Sequence, residues 1–384
     1  MTPPARLQAA IELVDSVIEA ARESGPAADT LIARYFKTRR YAGSGDRRAV
    51  RELVFRAIRR AGERPVSGRA ALLGLDDLLP LFDGSPHGPA AVAPGEPVAE
   101  AGIAPAWLLA RFDPVVAPDE LPALLERAPL DLRVNRLRGT RTEAMAILRE
   151  AVPTPHSPLG LRLPDGFQIA QDGLVEIQDE GSQLIGFACA PAPGMLVVDL
   201  CAGAGGKTLA LAADMANEGR LVACDTDRGR LSRLPQRLAR AGVTIAETRL
   251  LDPGREAEAL ADLAGMADLV LVDAPCSGSG TWRRNPETRW RVTPERLERL
   301  TALQARLLDL ATPLLKPGGA LVYAVCSLLA EEGRDQAEAL ARRSSLVPEP
   351  VSIAAGRPAG AGRLLSPARD GTDGFFVARW RRPC

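Results

Sequence analysis

The sequence predicts an α/β protein: a doubly wound, mostly parallel sheet, preceded by a small α/β piece and an all-helical N-terminal region. Three observations predict it. From residue 177 onward, short apolar runs alternate with helical stretches, the signature of parallel strands joined by helices. The first such run, residues 195–200 (MLVVDL), opens directly into a glycine-rich turn. Ahead of residue 60, by contrast, apolar side chains recur only at helical spacing.

The helical region comes first. Residues 4–23 place Leu7, Ile11, Val14 and Ile18 on one face, and residues 28–40 add Leu31, Ile32, Tyr35 and Phe36. A third helix, with Asp46 expected to cap it, carries Val50, Leu53, Val54, Ala57 and Ile58 as its stripe. Its other side shows Arg48, Arg51, Arg56, Arg59 and Arg60. Net charge is zero, yet residues 31–70 hold twelve Arg or Lys against Asp46, Glu52 and Glu63. Such a local excess is the footprint a phosphate backbone attracts, although a solvated helix face has the same composition. Residues 82–123, rich in Pro, Gly and Ala, read as a linker with a short helix at 107–112. Residues 129–175 read as a strand (LDLRVN), a helix beginning at Thr140 or Thr142, and further short strands. In the sheet, strands are expected at 195–200, 219–225, 268–273 and 319–326. A leucine-striped helix over 295–316 is closed by Pro317, Gly318 and Gly319. A final strand at 374–380 forms an antiparallel edge. The predicted domains are 1–85 (helical, basic), 86–125 (linker), 126–176 (small α/β subdomain) and 177–384 (the sheet).

Composition narrows the function. The 384 residues suit two or three domains, and 46% apolar content is enough for a sizeable core. No run of eighteen apolar residues predicts a membrane span, and the first residues, interrupted by charges, do not read as a signal peptide. The six cysteines form no CxxC pair, so no zinc site is expected, and reduced thiols in a cytoplasmic setting are. Two histidines, His87 and His156, in Pro-rich stretches argue against a His-based triad or a His-rich metal site. The chain has 45 arginines and only Lys37, Lys207 and Lys316 as lysines, so a lysine inside a glycine loop stands out as a compact point charge.

That loop reads Asp199, Leu200, Cys201, Ala202, Gly203, Ala204, Gly205, Gly206, Lys207, Thr208. Glycines let a backbone turn sharply and approach a ligand. Asp225 ends the next strand twenty residues after Gly205, where a carboxylate accepts hydrogen bonds from ribose hydroxyls. A P-loop would need glycine where Cys201 stands, and a dinucleotide fingerprint would need glycine where Thr208 stands. S-adenosylmethionine fits better, because it brings no pyrophosphate to the helix. Asp199 is then expected at its ammonium end and Asp252 near the adenine, unless Asp252 is simply a helix cap.

Two cysteines carry the chemistry. Asp273, Ala274, Pro275 and Cys276 follow one predicted strand, and Tyr323, Ala324, Val325, Cys326 and Ser327 end another. Ligands of an open parallel sheet sit beyond the carboxyl ends of its strands. One such cysteine would ordinarily be a buried apolar residue; two at matching strand ends point to the crevice. Carbon 5 of cytosine is a poor nucleophile. A thiolate adding to carbon 6 makes it an enamine that can attack a sulfonium methyl. Asp273 is placed to hydrogen-bond ring N3, and Lys207 or a helix N-terminus would favour thiolate formation.

Taken together, these motifs resemble the Sun or RsmB-type RNA (cytosine-5) methyltransferases. The resemblance runs from about residue 105 to the C-terminus and is densest over 177–332. It rests on Pro105-Ala106-Trp107, Leu132-Arg133-Val134-Asn135, residues 178–183 (QDEGSQ), the glycine loop, residues 225–231, 273–280 and 323–327, and Asp373-Gly374-Phe375-Phe376. It implies a Rossmann-like methyltransferase sheet and a NusB-like, RNA-binding N-terminal domain. It also implies Cys326 as nucleophile, Cys276 in product release, and Lys207 and Asp273 lining the active site. The implied cofactor contacts are Asp199, Cys201, Ala202, Gly203, Gly205, Gly206, Lys207, Asp225, Arg230, Asp252, Asp273 and Pro275. Two departures stand near the nucleophile: Val325 replaces the usual Thr, and Gly333 follows Glu331 and Glu332.

The expected partner is RNA, ribosomal first and tRNA next, with S-adenosylmethionine as cofactor, no metal, no membrane, and a monomeric state. Rival readings are a tRNA cytosine-5 methyltransferase, a DNA cytosine-5 methyltransferase using Cys276 as nucleophile, an amino-group methyltransferase, or a non-catalytic RNA-binding assembly factor. Amino-group chemistry lacks its Asp-Pro-Pro-Tyr turn, since Ala274 and Cys276 stand there. The target base must be looped, single-stranded or flipped out. Arg283, Arg284, Arg289 and Arg291, interleaved with Trp282 and Trp290, are candidates for backbone binding and base stacking, the alternative being a surface helix with one buried Trp.

Overall fold

A computed structural model describes residues 1–384 apart from Ser24, Asp165, Gln168 and Gln171. The chain divides into two compact units: residues 1–112, 117–127 and 277–294, and residues 113–116, 128–276 and 295–384. Residues 277–294, which the sequence reading leaves in the sheet domain, thus belong with the helices.

The helical unit is built on α1 (Pro3–Arg22), α2 (Ala28–Thr38), α3 (Ser44–Arg60) and α4 (Gly68–Leu73), with a single turn α5 (Ala106–Leu109). Pro3 and Pro4 occupy the first turn of α1, where a missing N–H costs nothing, and Thr2 caps it by accepting from Ala5. Leu7, Val14, Ile18, Val50, Val54, Ile58 and Leu72 form the core, as the helical spacing requires. Gly68 lets α4 cross α1 closely: a Cβ there would lie 2.2 Å from the Ile11 carbonyl oxygen. Asp46 does not cap α3. Gly43 holds that position and Asp46, three residues on, accepts the Gly43 N–H at 3.2 Å and pairs with Arg6 at 2.8 Å.

The sheet unit begins with a small antiparallel sheet of β1 (Leu130–Val134), β2 (Val152–Pro153), β3 (Gly160–Leu163) and β4 (Val175–Ile177), in the order β2-β3-β1-β4. Between β1 and β2 lies α6 (Arg141–Ile147). Thr140 caps it and Glu143 returns the bond to the Thr140 N–H at 2.7 Å, a capping box. After α7 (Glu180–Cys189) the large sheet starts: β5 (Leu196–Asp199), α8 (Gly206–Asp214), β6 (Arg220–Asp225), α9 (Arg228–Leu231), α10 (Leu234–Ala241), β7 (Ala246–Leu250), α11 (Glu256–Ala259) and β8 (Ala267–Asp273). It continues with α12 (Pro294–Ala311), β9 (Leu315–Val325), α13 (Arg334–Arg343), β10 (Val347–Glu349), β11 (Arg357–Ala359), β12 (Gly362–Leu365), α14 (Pro367–Asp370) and β13 (Phe375–Arg381). The order is β11-β12-β13-β9-β8-β5-β6-β7, with β10 also on β13. Strands β5 to β9 pair in parallel and β13 runs antiparallel to β9. The central strands are buried along most of their length, which is why they read as unbroken apolar runs.

Two sequence expectations are corrected. The helix expected over 295–316 stops at Ala311, because Pro313 cannot donate into the last turn. β9 then starts at Leu315 and runs through Pro317, Gly318 and Gly319. The terminal strand is not an edge: the β11–β12 hairpin covers its far side, pairing Gly362 with Ala378 and Leu364 with Phe376.

Candidate active site

The chain winds outward from β5 through β6 to β7, then returns to the other side of β5 with β8 and β9. The crevice at such a reversal lies beyond the carboxyl ends of β5 and β8. Each end carries polar groups.

At the end of β5 the chain turns through two left-handed glycines, Gly203 (φ 57°) and Gly205 (φ 88°). At Gly205 a Cβ would also stand 2.0 Å from Leu234 Cδ1, so both conformation and packing exclude a side chain. The Ala202 N–H donates to the Cys224 carbonyl at 2.8 Å, and the Gly205 N–H donates to the Ala202 carbonyl at 2.8 Å. Asp225 accepts from Gly203 and from Asp227, both at 2.7 Å, which ties this half-buried carboxylate to the loop. From outside, Arg237 donates to the Ala204 carbonyl at 2.5 Å and is itself held by Glu176 at 2.8 Å. Gly206 opens α8.

Asp199 is fully buried. Its Oδ2 accepts from Thr208 at 2.7 Å, and its Oδ1 has no hydrogen-bond partner among the described residues. Burial raises its pKa from 3.8 to about 7, with the charge of Asp273 adding to the rise and the Thr208 bond and Lys207 opposing it. The pH consequence has a definite sign. Between the unfolded value and about 7 the folded state keeps a proton that the unfolded chain has lost, so stability falls as pH rises through that window. Asp199→Asn cannot ionise and still accepts from Thr208. The melting-temperature gap between variant and wild type is expected to widen in the variant's favour from pH about 4 to about 8 and then stay level. A gap independent of pH in thermal melts would overturn this.

At the end of β8, Asp273 Oδ2 meets Lys207 Nζ at 2.7 Å. Burial pulls the Lys207 ammonium down, but Asp273, with a contribution from Cys326, more than offsets this and holds it above its ordinary value. The ammonium also lies 5.5 Å from the Phe375 ring centre. Beyond Asp273, Cys276 Sγ lies 3.3 Å from Cys326 Sγ, which follows the end of β9. The other cysteines of the large sheet have different surroundings. Burial pushes the thiols of Cys189 and Cys201 well up and that of Cys224 to about 12, so none of these three is set up as a thiolate.

Cys276, Cys326, Lys207 and Asp273 thus converge, with Asp199, Ala202, Gly203, Gly205, Gly206 and Asp225 around the adjoining turn. Cys201 sits half-buried within that turn. Arg230 and Asp252 are exposed. Arg230 pairs with Asp227 at 3.3 Å, and the Asp252 carbonyl accepts from Arg255 at 2.9 Å. Pro275 is exposed, and its carbonyl accepts from Gln304 at 2.9 Å. Sequence reasoning missed Gln304 and Arg237. The available signal for Gln304 was a lone amide inside a leucine stripe.

A family model described as 16S rRNA methyltransferase RsmB/F matches residues 187–381, just over half of the chain. The chain belongs to the RsmB/F methyltransferase family. It is 35% identical over 288 residues to ribosomal RNA small subunit methyltransferase B of Salmonella typhi, with 72% of this chain and 65% of the relative covered. The chain therefore spans about two thirds of the length of that relative, falling slightly short of it. The crystal structure of PH0851, 23% identical, covers all of both chains at a TM-score of 0.78 and shares the fold. A methyltransferase homolog protein from Pyrococcus horikoshii is 30% identical and superposes with a TM-score of 0.61, covering 68% of this chain and 89% of that one.

In this RsmB/F member, residues 282–291 are not the exposed stacking surface that their composition suggested. Trp282 and Trp290 are both buried. The buried Arg289 donates to the carbonyls of Ile58 (2.5 Å), Arg59 (2.9 Å) and Ala61 (2.8 Å) at the end of α3. Arg291 donates to Gly25 and Pro26, and Trp290 Nε1 donates to Ala61 at 3.1 Å. Arg283 is buried too, and Arg284 half-buried. The same Arg–Trp alternation that stacks on bases serves here to satisfy helix-end carbonyls. Trp290→Ala is expected to destabilise the helical unit by about 3–5 kcal/mol, read as faster amide exchange throughout α1 and α3. Unchanged exchange would contradict the packing role. The basic flank of α3 is also partly engaged: Arg51 pairs with Asp29 at 2.8 Å, Arg56 pairs with Asp77 at 2.7 Å, and Arg60 donates to the Ala99 carbonyl.

Proposed function

We propose that the chain methylates carbon 5 of a cytosine in RNA, with 16S ribosomal RNA first and tRNA second among substrates. The observation that carries this reading is the approach of two thiols to 3.3 Å beside a lysine–aspartate pair, the lysine buried and the aspartate half-buried, and a glycine turn. The turn suits S-adenosylmethionine. The orphaned Asp199 Oδ1 would take the ammonium end, Asp225 the ribose hydroxyls, and the loop from Cys201 to Lys207 the chain between them, with Asp252 and Arg230 at the outer rim. When bound, that cofactor supplies an electrophilic methyl group.

The protein's own groups would then act in sequence on the base. Cys326 adds through sulfur to carbon 6, which turns carbon 5 into a nucleophile. Lys207 and Asp273 hold a proton against ring N3 as charge develops there. Once carbon 5 is methylated, Cys276 helps draw off its proton and Cys326 leaves, regenerating its thiol. The arginine-rich α3 of the helical unit supports an RNA partner through its charge. Bisulfite sequencing of total RNA from a strain lacking the protein tests the reading. One cytosine of the small-subunit RNA is expected to lose its protection; full protection of every cytosine protected in the parent would refute it.

A further inference from the structure

We infer that Gln304 and Glu332 are positioning residues that keep the two thiols within reach of one another, an inference that rests on the catalytic reading of that pair. Cys276 and Cys326 stand on separate segments. The paired register of β8 and β9 ends at Asp273 opposite Ala324, and beyond it the Ala274 N–H donates to the Ala324 carbonyl at 2.9 Å. The sheet ladder does not reach either cysteine.

Side chains bridge that gap. Gln304, fully buried on α12, donates from Nε2 to the carbonyl of Pro275, the residue before Cys276, at 2.9 Å. The same nitrogen donates to Glu332 Oε1 at 3.1 Å. Glu332, also fully buried, accepts at Oε2 from the hydroxyl of Ser327, the residue after Cys326, at 2.6 Å. Ser327 Oγ accepts the Leu329 N–H at 3.1 Å, and the Tyr323 hydroxyl donates to the Glu332 carbonyl at 2.5 Å, anchoring the turn to β9. Pro275 and Ser327 are therefore joined through two side chains. Both acceptors facing Gln304 are oxygens, so only its amide nitrogen can serve them. A glutamine and a glutamate inside an apolar interior are costly unless so bonded. Stability alone would be better served by apolar residues of similar size.

The test uses the full chain. Gln304→Glu keeps the shape, removes the donor and sets two carboxylates together. With the fold retained, methyl transfer turnover is expected to fall about 10²-fold, as a displacement near 1 Å costs. The KM for S-adenosylmethionine should stay within about twofold, since neither residue belongs to the glycine turn proposed to hold that ligand. An independent readout needs no RNA: oxidised glutathione converts the Cys276 and Cys326 thiols to one disulfide, releasing two molecules of reduced glutathione. Its rate, followed by peptide mapping of that pair, is expected to fall about tenfold in the variant. A folded variant that pairs its thiols at the wild-type rate overturns the inference. Should Gln304→Glu fail to fold, Ser327→Ala, which removes one atom, is expected to slow pairing about threefold or more, and wild-type pairing in it is equally fatal. A wild-type protein that pairs its thiols but methylates no cytosine sinks the functional reading, and the pairing rate still judges the strap.

Discussion

Cys326→Ala is expected to lower methyl transfer by at least about 10⁴-fold, the scale on which removing a covalent nucleophile is felt. Cys276→Ala is expected to behave differently: the base is attacked and methylated, but the enzyme stays joined to it. The difference follows from the order of steps. Addition at carbon 6 needs one sulfur, and release needs a second group close enough to take the carbon 5 proton. At 3.3 Å, either sulfur reaches what the other holds. The two sites also differ locally. Cys326 follows the last residue of β9, whereas Cys276 lies past Asp273 on a turn through Pro275. Denaturing gels with labelled RNA check the outcome. A slow band is expected with Cys276→Ala and none with Cys326→Ala or the double variant. The reverse pattern, a trapped band only with Cys326→Ala, would make Cys276 the nucleophile and bring back the DNA-type mechanism. Loss of one sulfur atom from a half-buried position leaves the fold standing, so an unfolded variant is not the expected cause of inactivity.

Why the thiols were legible and their support was not is a matter of length scale. Strands β5, β6 and β8 are buried on both faces, so their sequences are unbroken apolar runs, and the polar residues that end each run fall at one rim. Gly203, Gly205, Asp225, Asp273, Cys276 and Cys326 could be placed from that rule alone. The β11–β12 hairpin could not, because residues 357–365 are short and glycine-rich and acquire their register only against Phe376 and Ala378. The Arg–Trp segment at 282–291 misled for another reason. The same guanidinium can lay its flat face on a base or donate its fork of N–H groups to helix-end carbonyls, and only burial separates the two uses. Gln304 lay hidden in a leucine stripe, since its partners, Pro275 and Glu332, are 29 and 28 residues away.

Lys207→Met and Asp273→Asn are each expected to reduce turnover about 10³-fold, and the double variant to be little worse than either. The two groups form one unit. Their 2.7 Å contact places an ammonium, about one-tenth exposed, against a carboxylate about three-tenths exposed. Charge developing on the ring during addition would be met by both, and the partial burial of the pair makes such interactions count for more than they would in bulk solvent. Removing the lysine leaves the aspartate without the cation that orients it; removing the aspartate's charge leaves Lys207 with the Phe375 ring face and the neighbouring sulfur of Cys326. In either case the remaining member can no longer hold the proton at N3, so the second substitution has little left to remove. Asp199 supplies the internal control. It is more deeply buried than either, and it bonds to Thr208 rather than to Lys207, so Asp199→Asn should weaken cofactor binding more than the chemical step. A double-mutant cycle on single-turnover rates checks the pair. Losses that simply multiply, giving about 10⁶-fold for the double variant, would mean that Lys207 and Asp273 act on different steps and that the salt bridge is incidental to the chemistry.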